Sequence, residues 1–415
     1  MLTKLKNIAN TEDKKRLLSN FTALLSMQGL NYILPLLTMP YLFRVLGADK
    51  FGLIAFALST IMFLNVLVEY GFNLSATRDI STHSNNKEKL IEIYSTVLSI
   101  KFILVFVSLI ILTLLIIFFE KFSNEWELFY LTFLIVVGNA LFPIWFFQGI
   151  EEMKYISYLN IFAKLFFTIG IFIFVNDSTD YLYQPFLNGI GFIFVGIYSI
   201  YFINKKYAVS FEFQSSGKII EAFKDGWNIF LTELMPNMYN NFATFFLGFM
   251  TSMENVGFYA LATNIIDVFN RLIYIIRNVT YPYLNKNIDK FKKITTIMIA
   301  TGTISSLIIL TMSYIVVPFI FGEKAYNSID LIYILALSPL LFSITLSFGS
   351  NKLLLLKKDK EFRNITFKGS FVGMISSLIL IPFFGILGAG INLIFTRAII
   401  SYLIYSKAKR VIIHE

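Results

Sequence analysis

Four basic residues, Lys101, Lys164, Arg271 and Arg397, stand well inside stretches of chain that are otherwise apolar enough to lie in lipid. A cation at the centre of a bilayer helix costs roughly 2.5–3.5 kcal/mol on insertion scales, so four cost on the order of 10 kcal/mol unless something compensates. The chemistry they suit is electrostatic: counter-charges around a water-filled cavity through which an anionic solute crosses a membrane. Two carboxylates, Glu233 and Asp267, also fall within apolar runs and are candidates to bind and release H⁺ or Na⁺. Other chemistries lack their residues. There is no cysteine, which removes disulfides, thiolate metal sites and cysteine nucleophiles, and the only imidazoles are His83 and His414. No metal site or cofactor beyond a coupling ion is expected. No Gly-x-x-x-x-Gly-Lys-Ser/Thr loop is present to hold nucleotide phosphates. Energy must then come from an ion gradient, the membrane potential or the substrate gradient.

The elements that position these residues follow from composition. With 56% hydrophobic and 15% charged residues over 415 positions, and a mean hydropathy of +0.70, the chain fits neither a soluble globular domain nor a disordered one. Runs of about 20 apolar residues number twelve, at 17–42, 51–70, 91–119, 127–147, 155–175, 181–203, 227–250, 256–279, 294–321, 329–349, 366–383 and 385–405. They are called spans 1 to 12 below. Loop charge orients them: 26 of the 35 Lys and Arg fall in the terminal segments and even-numbered loops, against four in the odd-numbered loops. The positive-inside rule then puts both termini in the cytoplasm. The first span is of full crossing length and lacks a small-residue cleavage site, so it reads as a retained helix.

A weak repeat divides the chain. Phe51-Gly-Leu-Ile-Ala-Phe-Ala57 lines up with Val256-Gly-Phe-Tyr-Ala-Leu-Ala262, and Leu141, Phe142 and Gly149 match Leu341, Phe342 and Gly349. The offset spans six helices, an even number, so the halves share one orientation and are related by an axis along the membrane normal, as in transporters built from parallel repeats. The expected architecture is an all-α membrane protein of about twelve transmembrane helices in two six-helix lobes. The N-terminal lobe is residues 1–203, the C-terminal lobe 227–415, and 204–226 a cytoplasmic linker with a surface helix from Gly217 to Asp225.

Within span 7, Glu233, Asn237, Asn240 and Asn241 fall on about a third of the helix circumference, and in span 8 Asn264, Asp267 and Arg271 share one face. Asp267 and Arg271, four residues apart, are placed to pair. Such Asn residues also serve to hold helices together in lipid. A charged pair kept for packing alone is poor value against apolar side chains, so the ionised residues are the stronger functional candidates. Arg277 lies near enough to its span end to snorkel. Span 1 carries Gln28, Asn31 and Pro35 on one face, followed by Pro40. Each proline deletes a backbone hydrogen bond and bends the helix, which makes Asn31 and Pro35 candidate gate residues.

Several segments carry a family resemblance. Asn31-Tyr-Ile-Leu-Pro-Leu-Leu-Thr-Met-Pro-Tyr-Leu-Phe-Arg-Val-Leu-Gly47, Phe51-Gly52, Tyr70-Gly-Phe-Asn-Leu-Ser-Ala-Thr-Arg-Asp-Ile80 and Trp145-Phe-Phe-Gln-Gly-Ile-Glu-Glu-Met-Lys154 resemble the O-antigen, or polysaccharide repeat-unit, flippases of the multidrug/oligosaccharidyl-lipid/polysaccharide exporter superfamily. The resemblance implies a transporter, not an enzyme, in the bacterial inner membrane. It implies a substrate of short oligosaccharide on undecaprenyl pyrophosphate, turned between leaflets by alternating access, and a polysaccharide polymerase as a candidate partner. On that reading Lys101, Lys164, Arg271 and Arg397 are counter-charges for pyrophosphate or acidic sugar, Asn240, Asn241 and Asn264 sugar contacts, and Glu233 and Asp267 coupling carboxylates. An ion-coupled multidrug exporter of the same superfamily would call for an acidic cavity. A membrane glycosyl or acyl transferase would call for larger outer loops and a catalytic cluster.

Overall fold

Two glycines decide how the ends of the chain are laid out. In the computed structural model, which describes residues 12–411 except for the side chains of 12–32, 228, 232, 233, 235–240, 282 and 286, spans 1 and 2 form one continuous helix, α1 (Glu12–Glu69), bent at Gly47 with φ 74°. Spans 11 and 12 form a second, here α12 (Asp359–Arg410), bent at Gly385 with φ 55°. Only glycine takes a positive φ at no steric cost, so at each site an apolar run doubles back without a loop. Gly385 alone makes this turn, inside a helix that is otherwise unbroken.

Between these hairpins run α2 (Phe72–Thr82), α3 (Lys87–Phe118), α4 (Trp126–Leu141), α5 (Met153–Phe174), α6 (Tyr183–Tyr207), α7 (Ser216–Met250), α8 (Met253–Lys286) and α9 (Phe291–Phe321). Span 10 is broken into α10 (Ile329–Leu335) and α11 (Ser338–Ile344), followed by a π-helical stretch, Thr345–Leu353. Among the described residues nine helical segments are long and apolar enough to cross a membrane. Two of those contain the glycine bends, and α7 supplies a further crossing, which gives the twelve spans of an all-α membrane protein. No strand occurs among the described residues. The expected surface helix at 217–225 is present but is the first part of α7, continuous with span 7. The irregular part of the linker is only 208–215.

Helix seams depend on small residues, because lipid offers no hydrophobic drive to bring helices together and close backbone approach must supply the attraction. Along α4 and α6, a Cβ on Gly138 would lie 2.5 Å from Phe192 Cβ, and one on Gly196 2.5 Å from Leu141 Cβ. The tightest approach joins the two halves. A Cβ on Gly52 would sit 1.8 Å from the Met253 carbonyl oxygen and 2.4 Å from Gly257 N, and one on Gly257 would sit 1.9 Å from the Ala48 carbonyl oxygen. The pairs 48/253 and 52/257 are the repeat-related positions of the sequence. A contact that maps onto itself when the halves are exchanged is the signature of a two-fold relation.

This end, where Gly47 and Gly385 lie, is called the kink end. Around the glycine contact, Phe43 packs against Phe51, Phe258 and Phe321. Lys121 reaches across to donate to the carbonyls of Gly248, Phe249 and Thr251 at 2.8, 2.9 and 3.0 Å, where α7 ends. At the opposite, terminal end, Tyr70 stacks on Phe223 and Phe230 with centroids 4.3 and 4.9 Å apart and donates its hydroxyl to the Phe223 carbonyl.

Candidate functional site: a cationic cavity around span 1

Pro35 is the centre of the site. It has no N–H, so the carbonyl one turn earlier loses its backbone bond, and in the next turn Thr38 donates its hydroxyl to the Leu34 carbonyl at 3.2 Å. Three adjoining cavities of about 260, 200 and 120 Å³ all have Pro35 in their wall. The largest lies toward α5 and α6 and contains Lys164 and Asn188. The second lies between the two legs of α1, α6 and α8 and contains Gln184 and Asn264. The smallest lies between α1 and α8 and contains Asn264, Asp267 and Arg271.

Lys164 is half-buried and has neither a carboxylate nor a hydrogen-bond partner among the described residues. Arg271, on α8, lines the adjoining smallest cavity. Arg397, on the second leg of α12, hydrogen-bonds Ser338 Oγ and lies 5.9 Å from the Phe342 ring centroid. Its other guanidinium nitrogen is 3.9 Å from Asp267 Oδ1. Asp267 also accepts from Asn270 Nδ2 at 3.0 Å and keeps half of its side chain exposed. The carboxylate is therefore paired with Arg397, from span 12, in place of the expected Arg271 one turn along its own helix. The described cavities are lined by Lys164, Arg271 and Asp267, and Arg397 reaches them through Asp267.

Lys101 departs from expectation. Its side chain is 1% exposed and its Nζ is 3.0 Å from Glu69 Oε1, the last residue of α1. Glu69 also accepts from Asn73 at 2.9 Å. A buried ion pair with its partner in place has no charge left to offer a ligand, so Lys101 is not a cavity cation in this structure. Arg277 is held by Ser350 Oγ, by Asn278 Oδ1 at 3.0 Å and over the Tyr281 ring, in place of reaching out to the membrane surface. Asn241 is half-buried. The side chains of Asn31, Glu233, Asn237 and Asn240 lie outside the described residues. No group of three His, Asp or Glu that could hold a metal ion occurs among the described residues.

Two polar residues of the site were not singled out from sequence, Gln184 and Asn188. They lie four apart on α6, so both project from one face, and such a pair in an apolar span was the available signal. A wall of α1 and α8 completes the site. Leu36, Leu37 and Leu272 are exposed there, and Pro35, Leu36, Met39, Val268, Leu272 and Ile275 make the smallest cavity mostly apolar.

The chain matches the family described as polysaccharide biosynthesis protein over residues 17–288. It is 28% identical over 399 residues to a protein of Escherichia coli (strain K12) named "Putative O-antigen transporter", covering 94% of this chain and 96% of that one. Among solved structures it is similar to the lipid II flippase MurJ in an inward closed conformation, with a TM-score of 0.73, 14% identity and coverage of 93% of this chain and 87% of that one. It is also similar to an inward-facing multidrug resistance MATE transporter of the MOP superfamily, with a TM-score of 0.61, 12% identity and coverage of 91% and 97%. At these identities the two structures bear on the fold alone.

Proposed function

The chain belongs to the polysaccharide biosynthesis protein family, and from that membership and the charged cavity we propose that it turns undecaprenyl-pyrophosphate-linked oligosaccharide from the cytoplasmic to the outer leaflet of a bacterial inner membrane. The observation that carries the reading is Lys164: a lysine in the wall of a mid-span cavity, without a carboxylate partner among the described residues. A pyrophosphate is a dense anion, and charge-assisted hydrogen bonds from Lys164, Arg271 and Arg397 offset its desolvation. The apolar gap between α1 and α8 lets the prenyl chain stay in lipid while the head group occupies the cavity. Glycan hydroxyls meet Asn264, and Asn240 and Asn241 of span 7 are the further candidates for sugar contact.

The six-span halves, divided at residues 204–226, rock about this site. The Gly52–Gly257 contact closes the kink end, which the loop charges assign to the outside. Pro35 and Asn31 lie where span 1 must flex. Coupling runs through Asp267: a proton or sodium ion on this carboxylate frees Arg397 for the substrate anion, and Glu233 is the second carboxylate of the scheme. The MATE likeness favours a rival, export of soluble cationic drugs. The deep ionised residues of the sequence are predominantly basic, whereas that rival calls for an acidic cavity, which disfavours it.

The test is transport by the purified protein in sealed vesicles. Lipid-linked oligosaccharide should move between leaflets and cationic dyes should not. Dye movement without movement of the glycan lipid would replace this reading by the rival.

A further inference from the structure

Resting on that reading of the substrate, we infer that the N-terminal half of the cavity, formed by spans 1, 5 and 6, is a sugar subsite in which Gln184 and Asn188 bind glycan hydroxyls and Phe167 and Phe192 stack on pyranose faces. Gln184 is only 7% exposed, yet its Oε1 accepts no hydrogen bond, and its side chain lines the cavity between the legs of α1. Asn188, one turn along the same face of α6, lines the adjoining cavity and likewise makes no hydrogen bond among the described residues. A primary amide offers two donors and two acceptor lone pairs. Leaving the buried Gln184 Oε1 without a donor is costly. Two such amides aimed into one connected space therefore imply a ligand rich in both donors and acceptors.

The aromatic residues narrow the class. Phe167 borders both cavities and Phe192 one. In a chain with 46 phenylalanines and many ring contacts, neither of these rings meets another aromatic ring among the described residues. Both rings are half-buried and line these cavities. A pyranose presents hydroxyls around its rim and an apolar C–H face, so it matches amides at the edge and rings at the wall. Neither a prenyl chain nor a bare pyrophosphate uses both features. Lys164, which shares a cavity with Phe167 and Asn188, then sits where the glycan meets its phosphate. The N-terminal half reads the sugar, and α8 with α12 holds the charge.

Equilibrium binding to the purified full-length protein in detergent tests this, with two probes: undecaprenyl pyrophosphate bare, and the same lipid carrying the oligosaccharide extracted from the source cell's membranes. The wild type should bind the glycosylated probe more tightly. Gln184→Leu, Asn188→Leu and Phe167→Leu should each cut that preference roughly tenfold, the loss of one to two hydrogen bonds or a ring contact, and leave the bare probe bound as before. Unchanged bare-probe binding also reports that the variants are folded. Asn188, which is half-buried, carries the test if Gln184→Leu does not purify. A preference that survives all three substitutions, or an equal fall for both probes, would overturn the sugar subsite and leave the transport reading standing. A wild type that binds neither probe would overturn both.

Discussion

Removing either Lys101 or Glu69 alone should do more harm than removing both. Each single truncation leaves an unpaired charge in a site where the lysine is 1% exposed, at a cost of about 3–5 kcal/mol, whereas an apolar pair of similar volume is close to neutral. Thermal unfolding in detergent should rank Lys101→Met and Glu69→Leu well below the double variant; a double variant as unstable as the singles would show that the pair does more than neutralise itself. Outside the spans, Glu152 is held below the usual carboxylate range by hydrogen bonds from Lys154 and Lys206. Its depressed value means that the unfolded chain binds the proton more readily. The stabilisation is complete above the ordinary carboxyl range and disappears as pH falls through the lowered value. The acid stability profiles of wild type and Glu152→Gln should accordingly differ at neutral pH and converge in strong acid. Profiles that stay parallel throughout would remove this linkage.

At the scale of elements, Gly52 and Gly257 make the sharpest prediction. A methyl group at either position would lie within 2 Å of a backbone oxygen of the other half, an overlap that no rotamer change relieves. Gly52→Ala or Gly257→Ala should hold the kink end apart. An engineered cysteine pair across that end should then cross-link far less than in the parent protein, while both variants still reach the membrane. Undiminished cross-linking would mean that the helices absorb the overlap locally. These glycines were legible beforehand as aligned positions of the repeat, and the twelve runs matched the helices because apolar length is a strong signal. The bends at Gly47 and Gly385 were less so, since a run that turns back on one residue looks like two helices with a loop. Partner choice was not legible. The spacing of Asp267 and Arg271 invites an i,i+4 pair, but Arg397 arrives from 130 residues away. Nothing along the chain joins Lys101 to a carboxylate 32 positions earlier. Gln184 and Asn188 are the reverse case: their spacing is visible along the chain, but only the adjoining cavities beside Pro35 give the pair a place.

For the whole molecule, the account needs a substrate anion to meet several cations at once in a space shared by the two halves. The kink end is sealed by glycine contact, by the Phe43 cluster and by Lys121 on the end of α7, while the terminal end is held by Tyr70 on Phe223 and Phe230. Alternating access requires one set to open while the other holds. Asp267→Asn, which keeps the shape and removes the titrating charge, should uncouple transport from the proton or sodium gradient; unchanged gradient dependence would take this carboxylate out of the coupling scheme. The central claim rests on Lys164. The most direct measurement is leaflet-to-leaflet movement of lipid-linked oligosaccharide in vesicles containing wild type, Lys164→Ala or Lys164→Arg. The account predicts near-complete loss in the alanine variant, partial retention in the arginine variant and equal amounts of inserted protein. Transport at the wild-type rate by Lys164→Ala would contradict it.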